Sequence, residues 1–263
     1  MKEKHMRIFS VANQKGGVGK TTTAVNLATA VAALKKKVLL IDLDAQGNAT
    51  VSLGVSRQGK QHNSYTVLTG VDTLASSIVD TKIPFLSVLP ACKELLGLDI
   101  ELSNTSRPQY FLKQALEGVD FDYVFIDCPP AVGLLTVNAL TASDAVVVPI
   151  QCEYLALEGV ADLIKTIEKV RKNFNEKLTL HGVLMTMFDS RSRLSSSVME
   201  DVKRFFGPTV YDTYIPRNVR IPEAPSHGKP VLLYDWRCTG AQAYIRLAAE
   251  FLKREKELLK NEQ

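Results

Sequence analysis

Ile8-Phe9-Ser10-Val11-Ala12-Asn13-Gln14-Lys15-Gly16-Gly17-Val18-Gly19-Lys20-Thr21-Thr22 carries the reading of the whole chain. Its first five residues form a short apolar run of strand length. Three glycines then break the pattern, and a helix-period segment follows from Lys20 to about Leu34. Ala24, Val25, Leu27, Ala28 and Val31 recur on one face of that segment, at the spacing of an amphipathic helix. A glycine-rich turn between a buried strand and a helix is where an anion is held. Successive backbone N–H groups can converge on it, and the helix start adds partial positive charge. Residues Lys15, Gly16, Gly17, Val18, Gly19, Lys20, Thr21 and Thr22 are therefore the expected phosphate-binding residues. Lys20 is placed to reach the β- and γ-phosphates of a nucleotide, and the Thr21 hydroxyl to ligate Mg²⁺. The general pattern G-x-x-x-x-G-K-[ST] is not fully met. Its first glycine falls at Gln14, and an additional lysine, Lys15, stands next to it.

Outward from this stretch the same alternation continues. Val38-Leu39-Leu40-Ile41 ends at Asp42, and Tyr123-Val124-Phe125-Ile126 ends at Asp127. The runs 145–150 and 182–187 repeat the form. Continuously apolar strands, separated by helix-length segments, indicate a mostly parallel sheet covered on both faces. The expectation is a doubly wound α/β fold. Residues 54–108 are richer in Ser, Thr and Gly and read as short helices around one strand, 85–90. Residues 215–235 hold several prolines and read as a long ordered loop, a feature that is usually functional in a compact domain. A helix is expected from Gly240 to about Lys260. No low-complexity linker or repeat divides the chain, so 1–263 reads as a single domain. Fourteen residues precede Lys15, so no amino-terminal helix-turn-helix domain is expected.

Composition narrows the function classes. The chain has 263 residues, 46% hydrophobic and 23% charged, with a net charge of +4. That balance excludes disorder, and no apolar run reaches the ~18 residues of a membrane span. Cys92, Cys128, Cys152 and Cys238 are scattered singly, which argues for reduced thiols in the cytoplasm rather than disulfides. The four histidines show no metal-ligand spacing. Positive charge is uneven: residues 165–237 carry thirteen Lys/Arg against eight Asp/Glu. Such a window suits a polyanion, although on charge alone an ordinary solvated face is the simpler reading. Residues 250–263 carry four basic and four acidic groups, a balance poorly suited to an anionic lipid surface.

The run Lys15-Gly16-Gly17-Val18-Gly19-Lys20-Thr21-Thr22 resembles the deviant Walker A motif of the ParA/MinD group of P-loop ATPases. Asp42-Leu43-Asp44-Ala45-Gln46-Gly47-Asn48 is similar to the D-x-D-P-Q-G-N segment of the ParA/Soj partitioning branch, with Ala45 in place of the usual proline. Asp127-Cys128-Pro129-Pro130 resembles its D-x-P-P segment, and 215–220 and 223–230 resemble its carboxy-terminal signature. The resemblance spans nearly the whole chain. It implies an Mg²⁺-dependent ATPase in which Asp127 and Asp42 support the metal shell with Thr21, and Asp44 orients the attacking water. For Asp42, capping of a nearby loop or helix is the alternative. Lys15 corresponds to the family's signature lysine, which reaches the nucleotide of a partner subunit in an ATP-dependent homodimer.

The Pro216–Asn218 loop is expected to grip adenine. The resemblance further implies non-specific binding to double-stranded DNA, nucleoid association and a ParB-like centromere-binding partner, without membrane attachment. Within the basic window the expected phosphate contacts are Arg191 and Arg193, read as a loop after Asp189, with Arg217, Arg220 and Lys229 in the proline-rich segment. The nitrogenase iron protein shares this loop and holds an iron–sulfur cluster. Here Cys92 and Cys128 read instead as buried structural thiols.

Overall fold

A computed structural model describes residues 6–56, 62–154 and 156–261. His5 and the last two residues of the balanced tail lie outside them. Seven strands form one sheet: β1 (Arg7–Val11), β2 (Val38–Asp42), β3 (Val79–Asp80), β4 (Leu86–Leu89), β5 (Tyr123–Asp127), β6 (Ala145–Gln151) and β7 (Thr179–Thr186). Their spatial order is β3-β4-β2-β5-β1-β6-β7. Every pairing is parallel except that of β3 with β4.

The strands are apolar throughout because both faces are buried. Val38, Leu40, Phe9, Val11, Phe125, Val147 and Leu184 pack with the first helix, α1 (Lys20–Ala33), and the carboxy-terminal helix Thr239–Asn261. Their neighbours Leu39, Ile41, Val124, Ile126, Val146, Val148, Val183 and Met185 face the opposite layer. That layer includes the helices Leu134–Ala142, Glu158–Asn173 and Arg193–Phe206. Alternate residues of one strand thus feed two separate cores, as the period of two requires. The doubly wound expectation holds.

Three local expectations need correction. β3 is absent from the sequence reading, since two residues leave no periodic signal. Residues 215–235 are not one loop: they contain helical turns at Arg220–Glu223, Ala224–His227 and Val231–Tyr234. Pro222, Pro225 and Pro230 sit within the first turn or at the cap of these turns, where a missing N–H is tolerated. Arg193, expected in a loop, opens a helix instead. The Ser192 hydroxyl caps that helix by accepting from the Ser195 amide at 3.3 Å.

All four cysteines are free thiols. Burial pushes Cys128 up to about 12 and Cys92 up to about 11, so both are protonated at neutral pH, as structural thiols are. No described helix is long and apolar enough to cross a membrane.

Candidate functional site: a nucleotide cradle bordered by arginine loops

The parallel sheet delivers three strand ends to one place. Val11, Asp127 and Asp42 are register partners on β1, β5 and β2, and the glycine-rich loop leaves the end of β1 between them. Ligands in open α/β sheets bind at such carboxyl ends. The loop is fixed from both sides. Asn13 donates to the Pro149 carbonyl at 2.7 Å and accepts from the Lys15 amide at 3.0 Å. The Thr186 hydroxyl, at the end of β7, donates to the Val18 carbonyl at 2.8 Å. Gly17 and Gly19 have φ of +76° and +91°, a left-handed backbone that favours glycine. No side chain caps α1, so its first N–H groups remain available to an anion.

Lys20 is buried, and its ammonium donates to the Lys15 carbonyl at 3.0 Å. Burial lowers its pKa, while Asp127, Cys128 and Asp44 pull the other way. Asp127 is fully buried, and neither of its carboxylate oxygens has a hydrogen-bond partner among the described residues. Burial and then the neighbouring Asp42 charge push its pKa well up; the nearby Thr21 hydroxyl and Lys20 oppose them. An orphaned buried carboxylate is costly unless something compensates it. A divalent cation with a hard oxygen shell fits that need. Among the described residues no group of three His, Cys, Asp or Glu side chains could hold a metal by itself.

The other carboxylates differ. Asp42 is buried but satisfied: Oδ2 accepts from the Thr50 amide at 2.8 Å and hydroxyl at 2.6 Å, and Oδ1 from the Asp44 amide at 3.2 Å. It fits its capping alternative. Asp44 is half-buried, and its Oδ1 accepts from the Gln46 amide at 2.9 Å. It lies near enough to Lys20 and Asp127 to influence both.

Lys15 turns away from the loop. Its stem passes Gly159 and its ammonium pairs with Glu153, both side chains being more than a third exposed. Sequence reasoning missed Glu153, Thr50 and Thr186, because each meets its partner only through the fold.

Next to the loop lies a mainly apolar cavity of about 300 Å³, lined by Gly19, Thr22, Met187, Pro216, Asn218 and Tyr244 among others. It is suited to a planar base and includes both residues expected to grip adenine. Its wall continues directly into the arginines. Arg217 donates its amide to the Phe188 carbonyl at 2.9 Å, and the Phe188 amide donates to Ile215 at 3.0 Å. These bonds hold the Arg191 loop against the Arg217 loop. Arg191 is extended into solvent and chelated by Asp189 at 3.1 Å. Arg220 pairs with Glu223 at 2.9 Å and Asp235 at 3.6 Å. Arg191, Arg193, Arg217 and Arg220 thus come from two joined loops and the helix start beside them. Lys229 does not share a lining with them; it lines a second cavity with Thr22, Asn26 and Asn48.

Comparison with known proteins agrees with this geometry. Residues 6–180 match a family model described as an AAA domain. The chain is 52% identical over 256 residues to the chromosome partitioning protein ParA of Caulobacter vibrioides, covering 96% of each. It is 50% identical over 246 residues to the sporulation initiation inhibitor protein Soj of Bacillus subtilis, covering 93% of this chain and 97% of that one. Among solved structures, one named cobyrinic acid a,c-diamide synthase from Mycobacterium smegmatis, with bound ADP and magnesium, superposes with a TM-score of 0.84. It is 38% identical and covers 96% of both chains. With its phosphate loop, orphaned strand-end aspartate and base-sized cavity, the chain belongs to the ParA/Soj family of Mg²⁺-dependent chromosome-partitioning P-loop ATPases.

Proposed function

We propose that this chain is an ATP-gated DNA partitioning protein. It dimerises on ATP, binds double-stranded DNA without sequence preference while dimeric, and lets go when hydrolysis, stimulated by a ParB-like partner, returns it to the ADP state. The observation that carries this reading is the continuity of one segment. Pro216 and Asn218 line the base cavity, while Arg217 lies between them and Arg220 opens the helical turn that follows, and Phe188–Arg217 bonding ties in Arg191. A base seated in the cavity therefore bears on the backbone that carries the arginines.

Within the site, the loop amides and Lys20 neutralise the β- and γ-phosphates. Thr21 and Asp127 hold the metal, which supplies charge neutralisation and orientation to phosphoryl transfer when bound. Asp44, close to both, orients water. Asp42 steadies this loop through Thr50 and supports the metal shell at one remove.

Lys15 is the further cation, and Lys20 already serves the phosphates of its own loop. The Lys15–Glu153 pair is solvent-accessible, and such pairs are worth only about 0–1 kcal/mol. Exchanging Glu153 for the nucleotide of a second subunit is therefore inexpensive. A dimer presents two arginine strips, so its affinity for duplex exceeds that of a monomer through effective concentration. A DNA-bound dimer is nucleoid-associated in the cytoplasm.

Light scattering with ATP tests the dimer directly. The wild type is expected to run as a dimer and Lys15→Gln as a monomer; a fully active Lys15→Gln dimer would sink the proposal for Lys15.

A further inference from the structure

The turn that follows the arginine segment carries a feature that the residues above do not explain. Trp236 is the chain's single tryptophan and is 59% exposed. An indole left in water on a loose tail would say little, but this one is held rigidly. The Asp235 carboxylate accepts from the Arg237 amide at 3.2 Å, and the Asp235 carbonyl from the Cys238 amide at 3.2 Å. The Trp236 carbonyl accepts from the Gln242 side chain at 2.7 Å. The turn is also fastened to the arginine segment. Arg220 meets Asp235 at 3.6 Å, and the Asn218 amide group donates to the Thr239 hydroxyl at 2.8 Å. Gly240 sits so close beneath Ile221 that a Cβ there would come within 2.7 Å of its side chain. Five polar contacts and one close packing contact thus hold the turn while the indole stays outside the core. A buried tryptophan would remove a large apolar area from water, so rigid exposure points to a surface that something else covers.

Arg237 identifies the chemistry of what covers it. Its guanidinium lies 5.2 Å from the Trp236 ring centre, and among the described residues it has no carboxylate partner. Arg191 and Arg220, by contrast, are both engaged by acids of their own chain. A phosphate that approaches Arg237 displaces no ion pair. An aromatic face beside a free guanidinium suits the sugar–phosphate backbone of a nucleic acid, where the cation meets phosphate and the ring packs on the sugar without reading sequence.

We infer that Trp236 and Arg237 are a further duplex-DNA contact of this protein, adjoining Arg220 and carrying more of the affinity per residue than the paired arginines. The inference rests on the DNA-binding reading above. Because Trp236 is the only tryptophan, its emission reports the contact without a label. The experiment titrates the full chain, with ATP and separately with ADP, against a mixed-sequence duplex labelled for anisotropy. Tryptophan emission and iodide quenching are followed in parallel.

With ATP, the duplex is expected to change Trp236 emission and to shield it from iodide. Trp236→Ala and Arg237→Ala should each weaken binding roughly five- to tenfold, in keeping with an aromatic or cation–π contact. Arg237→Ala should also lower the log–log salt slope by about one, and Trp236→Ala should leave it unchanged. Nucleotide binding and thermal melting establish that each variant is folded; Trp236→Phe, which keeps a ring, should recover most of the affinity. If the wild type binds duplex but both variants bind as tightly and the emission does not move, the inference is overturned while the DNA-binding reading stands. If the wild type with ATP binds no duplex, both fall. Shielding of Trp236 by anionic vesicles alone would assign the turn to a lipid surface and overturn the inference.

Discussion

The phosphate loop and the arginine loops adjoin one another, yet they handle charge in opposite ways. Around the loop, charge is buried ahead of its ligand. Lys20 is desolvated, and neither oxygen of Asp127 has a hydrogen-bond partner among the described residues. Along the 189–237 border, charge is exposed, and Arg191 and Arg220 are met by nearby acids. Buried groups without compensation destabilise the empty state and so make binding strong and stringent. Exposed pairs contribute little to either state and yield weak, additive, salt-dependent contacts. On the proposed function, one region recognises a particular ligand, and the other holds any ligand of the right charge.

That contrast is most sharply tested at Lys20. Lys20→Ala removes a buried charge partner of the phosphates, a loss of about 2–5 kcal/mol or more. Calorimetry should show ATP affinity falling at least roughly thirtyfold, with hydrolysis abolished; unchanged affinity would undo the loop assignment. Asp44→Ala is next. It should bind ATP and accumulate as a dimer, while single-turnover hydrolysis falls by about 10²–10³-fold, the scale of losing one positioned polar group. Normal hydrolysis in that variant would remove Asp44 from the chemistry.

The two regions also differ in how far the sequence reveals them. The loop is local: strand, glycines and helix follow one another within residues 8–34, and Lys20 and Thr21 fall at fixed offsets. Both were legible, as was Asp127 at the end of an apolar run. The turns within 215–235 were not. Proline reads as a breaker in a sequence, whereas Pro222, Pro225 and Pro230 here begin helical turns. Partners distant in sequence left no trace either. Glu153 meets Lys15 across 138 residues, and Thr50 satisfies Asp42 across eight. The first contact is a product of the sheet order, and the second of the turn that follows β2.

A third region extends the comparison to stability. Arg7, Glu255 and His181 form a buried cluster between β1, β7 and the carboxy-terminal helix, with Arg7 to Glu255 at 2.9 Å and His181 facing Glu255 at 3.2 Å. Although burial alone would raise Glu255, His181 and Arg7 hold its pKa below the usual 4.5. Burial lowers His181 below 6.5. In both cases the unfolded chain takes up the proton first as pH falls. Stability should therefore decline gently below about pH 6.5 as His181 titrates in the unfolded chain, and steeply once pH passes below 4.5 towards the folded pKa of Glu255. At neutral pH Glu255→Gln should cost up to about 3–5 kcal/mol, since it removes the buried carboxylate that faces Arg7 at 2.9 Å, while Asp144 stays at 3.8 Å. Denaturant melts that show less than 1 kcal/mol of loss would place this pair with the exposed ones.

Smallest of all should be the effects at the arginines. Arg191→Ala and Arg220→Ala are each expected to change stability by no more than about 1 kcal/mol. Each should lower the salt slope of duplex binding by about one and weaken binding to all sequences alike. A sequence-dependent loss would mean that these side chains read bases and do not merely contact phosphate.

The central claim is that the segment walling the base cavity also carries the DNA-binding charge, so nucleotide state governs DNA affinity. The most direct measurement is duplex anisotropy of the wild-type chain at one fixed salt concentration, with a slowly hydrolysed ATP analogue and then with ADP. The account predicts saturable binding to any duplex with the analogue and at least tenfold weaker binding with ADP. Equal affinity in the two nucleotide states would contradict it.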